Sequence, residues 1–409
     1  MSDTAYARNV TVLATCQALF FMANTIVIST TALVGLELAP TPALSSLALG
    51  LQFVGTMAGM LPASFLMQRF GRRAGFLLGG LFGIAAGVLG WDAIMRSSFA
   101  AFCLAGLVYG VFGAFCQFYR FAAADAANAA TRPGALDAAA RRSRAIGWVM
   151  AGGTVAALLG PLLARWTQDL FAPVMFAGCF AAIALLGGLI CLALGFLDPL
   201  RPRRQGSAGS GRPLAAIARQ PAAVTAFLTA LVAYVTMNLL MTATPLAMLA
   251  CGFGFAESAT VIQWHVLGMF APSFVTGHLI ARFGVMRVIA AGVVLMAACV
   301  GVDLLGVEVV HFAAGLLLLG VGWNFMFIGA TALLTSCYTE AEKAKVQGLN
   351  DFLIFTTVAV SASSAGALHH LLGWQAMNLL AVPGLLLVAA AILFRAGLGT
   401  LARREALGG

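Results

Sequence analysis

The chain has 409 residues, of which 61% are hydrophobic and only 9% charged, where soluble domains carry about 25% charged residues. That excludes a soluble globular protein, a disordered chain and a nucleic-acid binder. The formal charge of +9 comes from 23 Lys and Arg against 14 Asp and Glu, an excess that membrane topology alone accounts for. The eight cysteines lie scattered through apolar runs without a CxxC pair, so neither a disulfide framework nor a zinc site is expected.

A bilayer core of about 30 Å needs roughly 20 apolar residues in helical form. Such segments are predicted at 11–35, 43–67, 74–95, 99–121, 145–164 and 170–196, then at 223–248, 258–281, 286–307, 310–335, 347–370 and 374–396. The fold class is therefore an all-α membrane protein with twelve transmembrane helices in two six-helix bundles. No apolar run with a cleavage site opens the chain, so no removable signal peptide is expected. With the N-terminus inside, 21 Lys and Arg fall in inner loops and tails and only Arg96 and Arg165 outside. That asymmetry puts both termini in the cytoplasm.

The second span ends in Arg69-Phe70-Gly71-Arg72-Arg73 and the eighth in Arg282-Phe283-Gly284, with the glycines 213 residues apart. Glycine permits a tight turn between two helix ends, so the triplets mark an internal repeat and a candidate gating loop at Arg69, Gly71, Arg72 and Arg73. Between the halves, residues 198–222 begin with a stretch rich in Gly, Pro, Ser and Arg, read as a cytoplasmic linker. This divides the chain into 1–197, 198–222 and 223–409. The pattern resembles the major facilitator superfamily. Gln68 stands where that family's loop usually has an acid, and Gly160-Pro161 resembles part of the Gly-Pro motif of proton-driven exporters. The resemblance implies alternating access around a central path.

No acidic residue falls near the middle of a predicted span. Asp92, Asp303 and Glu308 lie near outer ends, Asp125 and Asp351 near inner ends. Of five histidines, His265 alone lies deep. Span seven carries Met237 and Met241, span eight His265 and Met269, each pair four residues apart and so on one helix face. At 1.5 Å per residue the two layers lie roughly 10 and 16 Å below the outer boundary. If the two spans pack together, Met241 faces His265 and Met237 faces Met269. Thioether and imidazole are soft, neutral ligands that suit copper. Sixteen Met in 409 residues give by chance about 0.6 MxxxM and about 0.2 HxxxM pairs. Plain core packing by Met remains the alternative. Met248 and Cys251 extend the series as a relay at the outer mouth, or are simply a cap residue and a loop thiol.

These two motifs resemble those of the CcoA-like copper importers of the superfamily. The resemblance implies import of copper across the bacterial inner membrane for cytochrome oxidase assembly. Copper is then substrate rather than cofactor; membrane lipids and a cytoplasmic copper chaperone are the other expected partners. Relatives in the same branch move riboflavin, so an importer of a flat organic molecule stands as the alternative, and a membrane copper chaperone or sensor as a third. Gln117, Tyr119, Trp323 and Asn324 fit either contacts to an organic substrate or interhelical hydrogen bonds. Glu340, Glu342, Lys343 and Lys345 read as a solvated loop or a gate contact. No nucleophile motif, carboxylate pair or phosphate loop suggests an enzyme.

Overall fold

The computed structural model describes residues 2–130, 138–198, 211–339 and 341–408. Arg132, most of the linker with Arg201, Arg203 and Arg204, and Glu340 lie outside them. The described residues are helical, with no strand among them. In the first half run α1 (Asp3–Leu38), α2 (Leu47–Phe70), α3 (Arg72–Met95), α4 (Phe99–Cys116), α5 (Tyr119–Ala130), α6 (Ala138–Thr167) and α7 (Ala177–Leu194). In the second come the short α8 (Leu214–Ala218), then α9 (Pro221–Ala250), α10 (Phe255–Phe270), α11 (Ser273–Phe283), α12 (Val285–Leu305), α13 (Val309–Thr335), α14 (Lys343–Leu379) and α15 (Ala381–Gly408).

Ten helical stretches are long and apolar enough to cross a membrane. The pair α10 and α11, bent by 41°, makes an eleventh. The last stretch runs 51 residues, from Lys345 to Arg395, about twice what one crossing requires. It breaks at Gly373, whose φ of 76° and ψ of 176° lie outside the helical region. Its two arms correspond to the last two predicted spans.

Two large apolar cores form, beside a small cluster of Ala230, Ala330, Ile354 and Val358. One gathers residues mainly from α1 to α7, around Phe76, Phe112 and Ile183. The other gathers residues mainly from α8 to α15, around Ile262, Leu316 and Met326. The halves meet where α2 lies along α14, α6 along α10, and α1 beside α9.

The Arg-Phe-Gly triplets form the same local structure twice. Gly71, between α2 and α3, has φ 91° and ψ 162°; Gly284, between α11 and α12, has φ 85° and ψ 151°. Both lie where L-residues are strained and glycine is not. Even the preceding pair repeats: the Arg69 guanidinium stands 5.4 Å from the Phe70 ring centre, and that of Arg282 5.3 Å from Phe283.

Candidate functional site

At the end of the bundle away from the chain termini, the two halves close on small residues. The Ser46 hydroxyl donates to the Ser363 carbonyl at 3.1 Å and accepts from the Gly366 amide at 2.8 Å. A Cβ on Gly50 would stand 1.8 Å from Ser363 Oγ, and one on Gly366 would stand 2.2 Å from Ser45 Oγ. Only small side chains allow so close a backbone approach.

At the end that carries the termini, a cavity of about 1000 Å³ opens along α1 and α6. Its size lies at the top of the range for pockets that hold drug-sized ligands, about 300–1,000 Å³. Helix spacing explains the lining. Arg144, Trp148 and Val155 follow one face of α6, opposite Tyr6, Ala14 and Met22 of α1. Trp148 is 64% exposed. Close to Ala14 and Ala18 the two helices nearly touch, since a Cβ on Gly152 would lie 2.9 Å from Ala18 N. Arg141 pairs with Asp3 and lies 4.5 Å from the Tyr6 ring centre. The result is a trough with an apolar floor, two aromatic faces and cationic groups at its rim. Helix α10 joins the same two helices, with Phe270 5.3 Å from Phe21 and Gln263 donating to the Leu158 carbonyl at 3.3 Å.

The loop that joins α2 to α3 is tied down at the same end. Arg72 is buried and donates twice to Asp125 Oδ2 of α5, at 2.9 and 3.1 Å. Arg73 donates to the Gly195 carbonyl at the C-cap of α7, at 2.9 Å, where the negative end of a helix dipole welcomes a cation. Arg8 pairs with Asp198, and that hydrogen bond holds the Asp198 carboxyl below its ordinary pKa.

The mixed-charge loop before α14 is not the solvated surface the sequence suggests. Glu342 is 2% exposed. It accepts from the Arg212 backbone amide, Nε and Nη2 at 2.8, 2.9 and 2.8 Å, and from the Thr339 amide at 3.0 Å. Arg212 also donates to the Cys337 carbonyl at 2.9 Å. The stretch just before α8 is thereby clasped to the α13–α14 loop. These hydrogen bonds depress the Glu342 pKa strongly.

Met237, Met241 and Met248 are buried in α9, and Cys251 is exposed at its C-cap. Helix α10, however, packs chiefly on α13 and α6 and touches α9 only lightly. Glycine makes that choice: a Cβ on Gly320 of α13 would lie 2.5 Å from the His265 carbonyl oxygen. His265 is fully buried and its Nδ1 donates to the Leu316 carbonyl of α13 at 2.9 Å. Met269, four residues on, is only partly buried. Among the described residues no group of three or more His, Cys, Asp or Glu could hold a metal ion.

Asn324 serves helix geometry. Its amide donates to the Met269 carbonyl at 2.7 Å and to Ser273 Oγ at 2.6 Å, and its Oδ1 accepts from Thr276 at 2.6 Å. These bonds stitch the bend between α10 and α11. Trp323 stacks on Phe327 at 5.0 Å and meets Tyr234 edge-on at 5.2 Å. Tyr119 is buried against Phe76 at 4.7 Å, and Gln117 caps α4. Sequence reasoning missed Tyr6, Arg144 and Trp148. The only signal was the four-residue spacing of Arg144, just before a predicted span, and Trp148 within it.

Comparison with known proteins places this geometry in context. The profile of the Major Facilitator Superfamily matches residues 13–263 and 226–406. The chain is 44% identical over 398 residues to the riboflavin transporter RfnT of Brucella anthropi, covering 97% of this chain and 98% of that one. In structure it superposes on a D-xylose–proton symporter with a TM-score of 0.73 at 14% identity, over 94% of this chain and 97% of the other. A human organic anion transporter, MFSD10, gives a TM-score of 0.63 at 17% identity, over 95% and 99%. The first likeness overturns the expectation of copper import, and copper falls as a partner with it. The motifs that suggested copper satisfy a local spacing, while the helices that carry them turn toward other neighbours.

Proposed function

The chain belongs to the major facilitator superfamily and is a multi-pass membrane transporter, and we propose that its cargo is riboflavin or a closely similar flavin, taken into the cytoplasm across the bacterial inner membrane. What carries the reading is the identity to the Brucella anthropi riboflavin transporter along nearly its whole length. The cavity supports it chemically. A flavin is a flat, largely apolar ring system with a polar edge and a hydroxylated tail. Trp148 and Tyr6 offer aromatic faces, Ala14 and Gly152 a shallow apolar floor, and Thr11, Thr15 and Arg144 polar groups.

The positive-inside pattern orients the termini to the cytoplasm. The open cavity then faces inward and the Ser46 seam closes the outer side. In this reading the two halves, joined by the 198–222 linker, rock about the path. Arg69, Gly71, Arg72 and Arg73 form the inner gate that must rearrange as they do so. We assign the protein no catalytic step and no cofactor.

The test is uptake of radiolabelled riboflavin by riboflavin-auxotrophic bacteria without a transporter of their own, with copper uptake measured beside it. Growth on low riboflavin and saturable uptake are expected. A protein present in the membrane that moves copper but no flavin would overturn the reading.

A further inference from the structure

Among the buried polar atoms of the first half without a hydrogen-bond partner within the protein are Thr31 Oγ1 on α1, Gln52 Oε1 on α2 and the Tyr109 hydroxyl on α4. Their residues are 3%, 6% and 3% exposed. Leaving a buried hydroxyl or amide oxygen unpaired is costly, and natural proteins rarely do so. Here all three line one small cavity, whose remaining walls are apolar residues such as Ala86, Phe102 and Ile183.

The surroundings aim these groups at that space. Thr25, Ser29 and Thr30 of α1 each return their hydroxyl to the carbonyl four residues back, at 2.8–2.9 Å. Thr31 makes no such bond. The Gln52 Nε2 donates to Asn24 Oδ1 at 3.1 Å, which leaves its Oε1 for the cavity. Nor can the helices simply close the gap. Helices α2 and α4 already touch backbone to backbone, since a Cβ on Gly110 would lie 1.9 Å from the Gln52 carbonyl oxygen, and one on Gly106 would lie 2.3 Å from that of Ala48.

Traced by the centre of a water-sized sphere, the cavity measures about 10 Å³. That is the size that holds a single water molecule, and a buried water typically makes about three hydrogen bonds to groups otherwise unsatisfied. We propose that Thr31, Gln52 and Tyr109 form a binding site for one ordered water. Each of the three groups gains a partner: the water donates one hydrogen to Gln52 Oε1, and both hydroxyls donate to the two lone pairs of its oxygen. The site ends a polar chain that starts at the partly buried Asn24 and ties α2 to both α1 and α4. Because α2 also carries Ser46 and Gly50, the water fastens the helix that closes the seam. This inference is independent of the cargo.

Hydroxyl-radical footprinting by X-ray radiolysis tests it on the unaltered protein in detergent. Tyr109 and Tyr119 are both buried, but Tyr119 has the Cys116 thiol as its partner. Radicals formed from a bound water label the side chains beside it, so Tyr109 should be modified several-fold faster than Tyr119. Equal rates would overturn the site. Thermal unfolding supplies the second arm. If the cavity is dry, Tyr109→Phe and Thr31→Val each remove an orphaned hydroxyl and raise the melting temperature. If a water bridges them, each lowers it by a few degrees, and the double variant lowers it by less than the sum. A rise in either single variant sinks the proposal. Should a variant fail to fold, the footprinting comparison stands on its own.

Discussion

Ser46 and Gly366 are 320 residues apart, yet the Gly366 amide donates to the Ser46 hydroxyl at 2.8 Å, across the line where α2 meets α14. The contact closes the end of the bundle opposite the cavity, and it is made almost entirely by side chains of one or two heavy atoms. A transporter that alternates must break this seam and remake it. Replacing Ser46 and Ser363, which already meet across the seam, by cysteine and cross-linking them should stop riboflavin uptake, and reduction should restore it. Gly50→Val puts a branched side chain where even a Cβ meets Ser363. It should lower uptake about tenfold or more, equivalent to at least about 1.4 kcal/mol, with normal amounts of protein in the membrane. Full uptake by the cross-linked pair would show that the seam does not open during transport.

The proposed gate at the other end contains an ion pair whose side chains are 10% and 18% exposed, Arg72 with Asp125. Asp125→Ala leaves Arg72 with an uncompensated charge and should cost about 3 kcal/mol. The double change with Arg72→Ala should cost less than the sum of the two singles. Arg73 makes a single bond to the Gly195 carbonyl, so Arg73→Ala should slow uptake while leaving KM for riboflavin nearly unchanged. Melting temperatures and initial rates of uptake decide both points.

The clasp between Arg212 and Glu342 carries a pH signature. The Glu342 carboxyl is held well below its ordinary pKa by Arg212 and the Thr339 amide. A depressed carboxylate contributes stability that is present above the unfolded pKa, about 4.3 for Glu, and lost only as pH falls toward the folded one. The clasp should therefore be intact and insensitive to pH between about 5 and 8. Glu342→Gln should lower the melting temperature across that whole range by a constant amount. A difference between wild type and variant that grows or shrinks between pH 5 and 8 would contradict the assignment.

Cargo recognition separates the cavity from the buried methionines. Trp148→Ala removes an exposed aromatic face and should raise KM for riboflavin several-fold with little change in melting temperature. Met237→Leu with Met241→Leu keeps side-chain volume and removes only sulfur. That pair should retain riboflavin uptake close to wild type. Loss of uptake in a correctly folded double variant would return the thioethers to the transport path.

Two glycines, one inside α11 and one at its C-cap, should respond in opposite directions. Gly284 has φ 85°, and a Cβ placed on it would have nothing within 4 Å, so Gly284→Ala should cost about 1 kcal/mol through backbone strain alone. Gly277 lies inside α11, also with nothing within 4 Å, and Gly277→Ala should stabilise by up to about 1 kcal/mol. Paired thermal melts give the sign of each.

Much of the architecture could be read from local pattern. The spans, the Arg-Phe-Gly turns and the break at Gly373 follow from hydropathy and from where glycine stands, because crossing a bilayer is a demand that each segment meets by itself. The Met237, Met241, His265 and Met269 spacing was equally legible, and it misled. It describes one face of each helix correctly but says nothing of which neighbour that face meets. Glu342 was misread for the same reason: a mixed-charge loop looks solvated until Arg212, 130 residues earlier, folds over it.

Among membrane helices hydrophobicity cannot choose partners, since lipid tails are as apolar as leucine side chains. The choice falls to places where small residues let backbones touch and to polar groups that must find one another. Gly320 against His265 sets α10 on α13, and Ser46 with Gly366 sets α2 on α14. Hydropathy, charge and glycine placement along the chain were enough to determine a multi-helix membrane protein with a repeated turn. The closed seam, the open cavity, the buried Glu342 and the packing around His265 were decided only in three dimensions, where contacts between residues from about fifty to more than three hundred positions apart outweigh the pattern within any one helix.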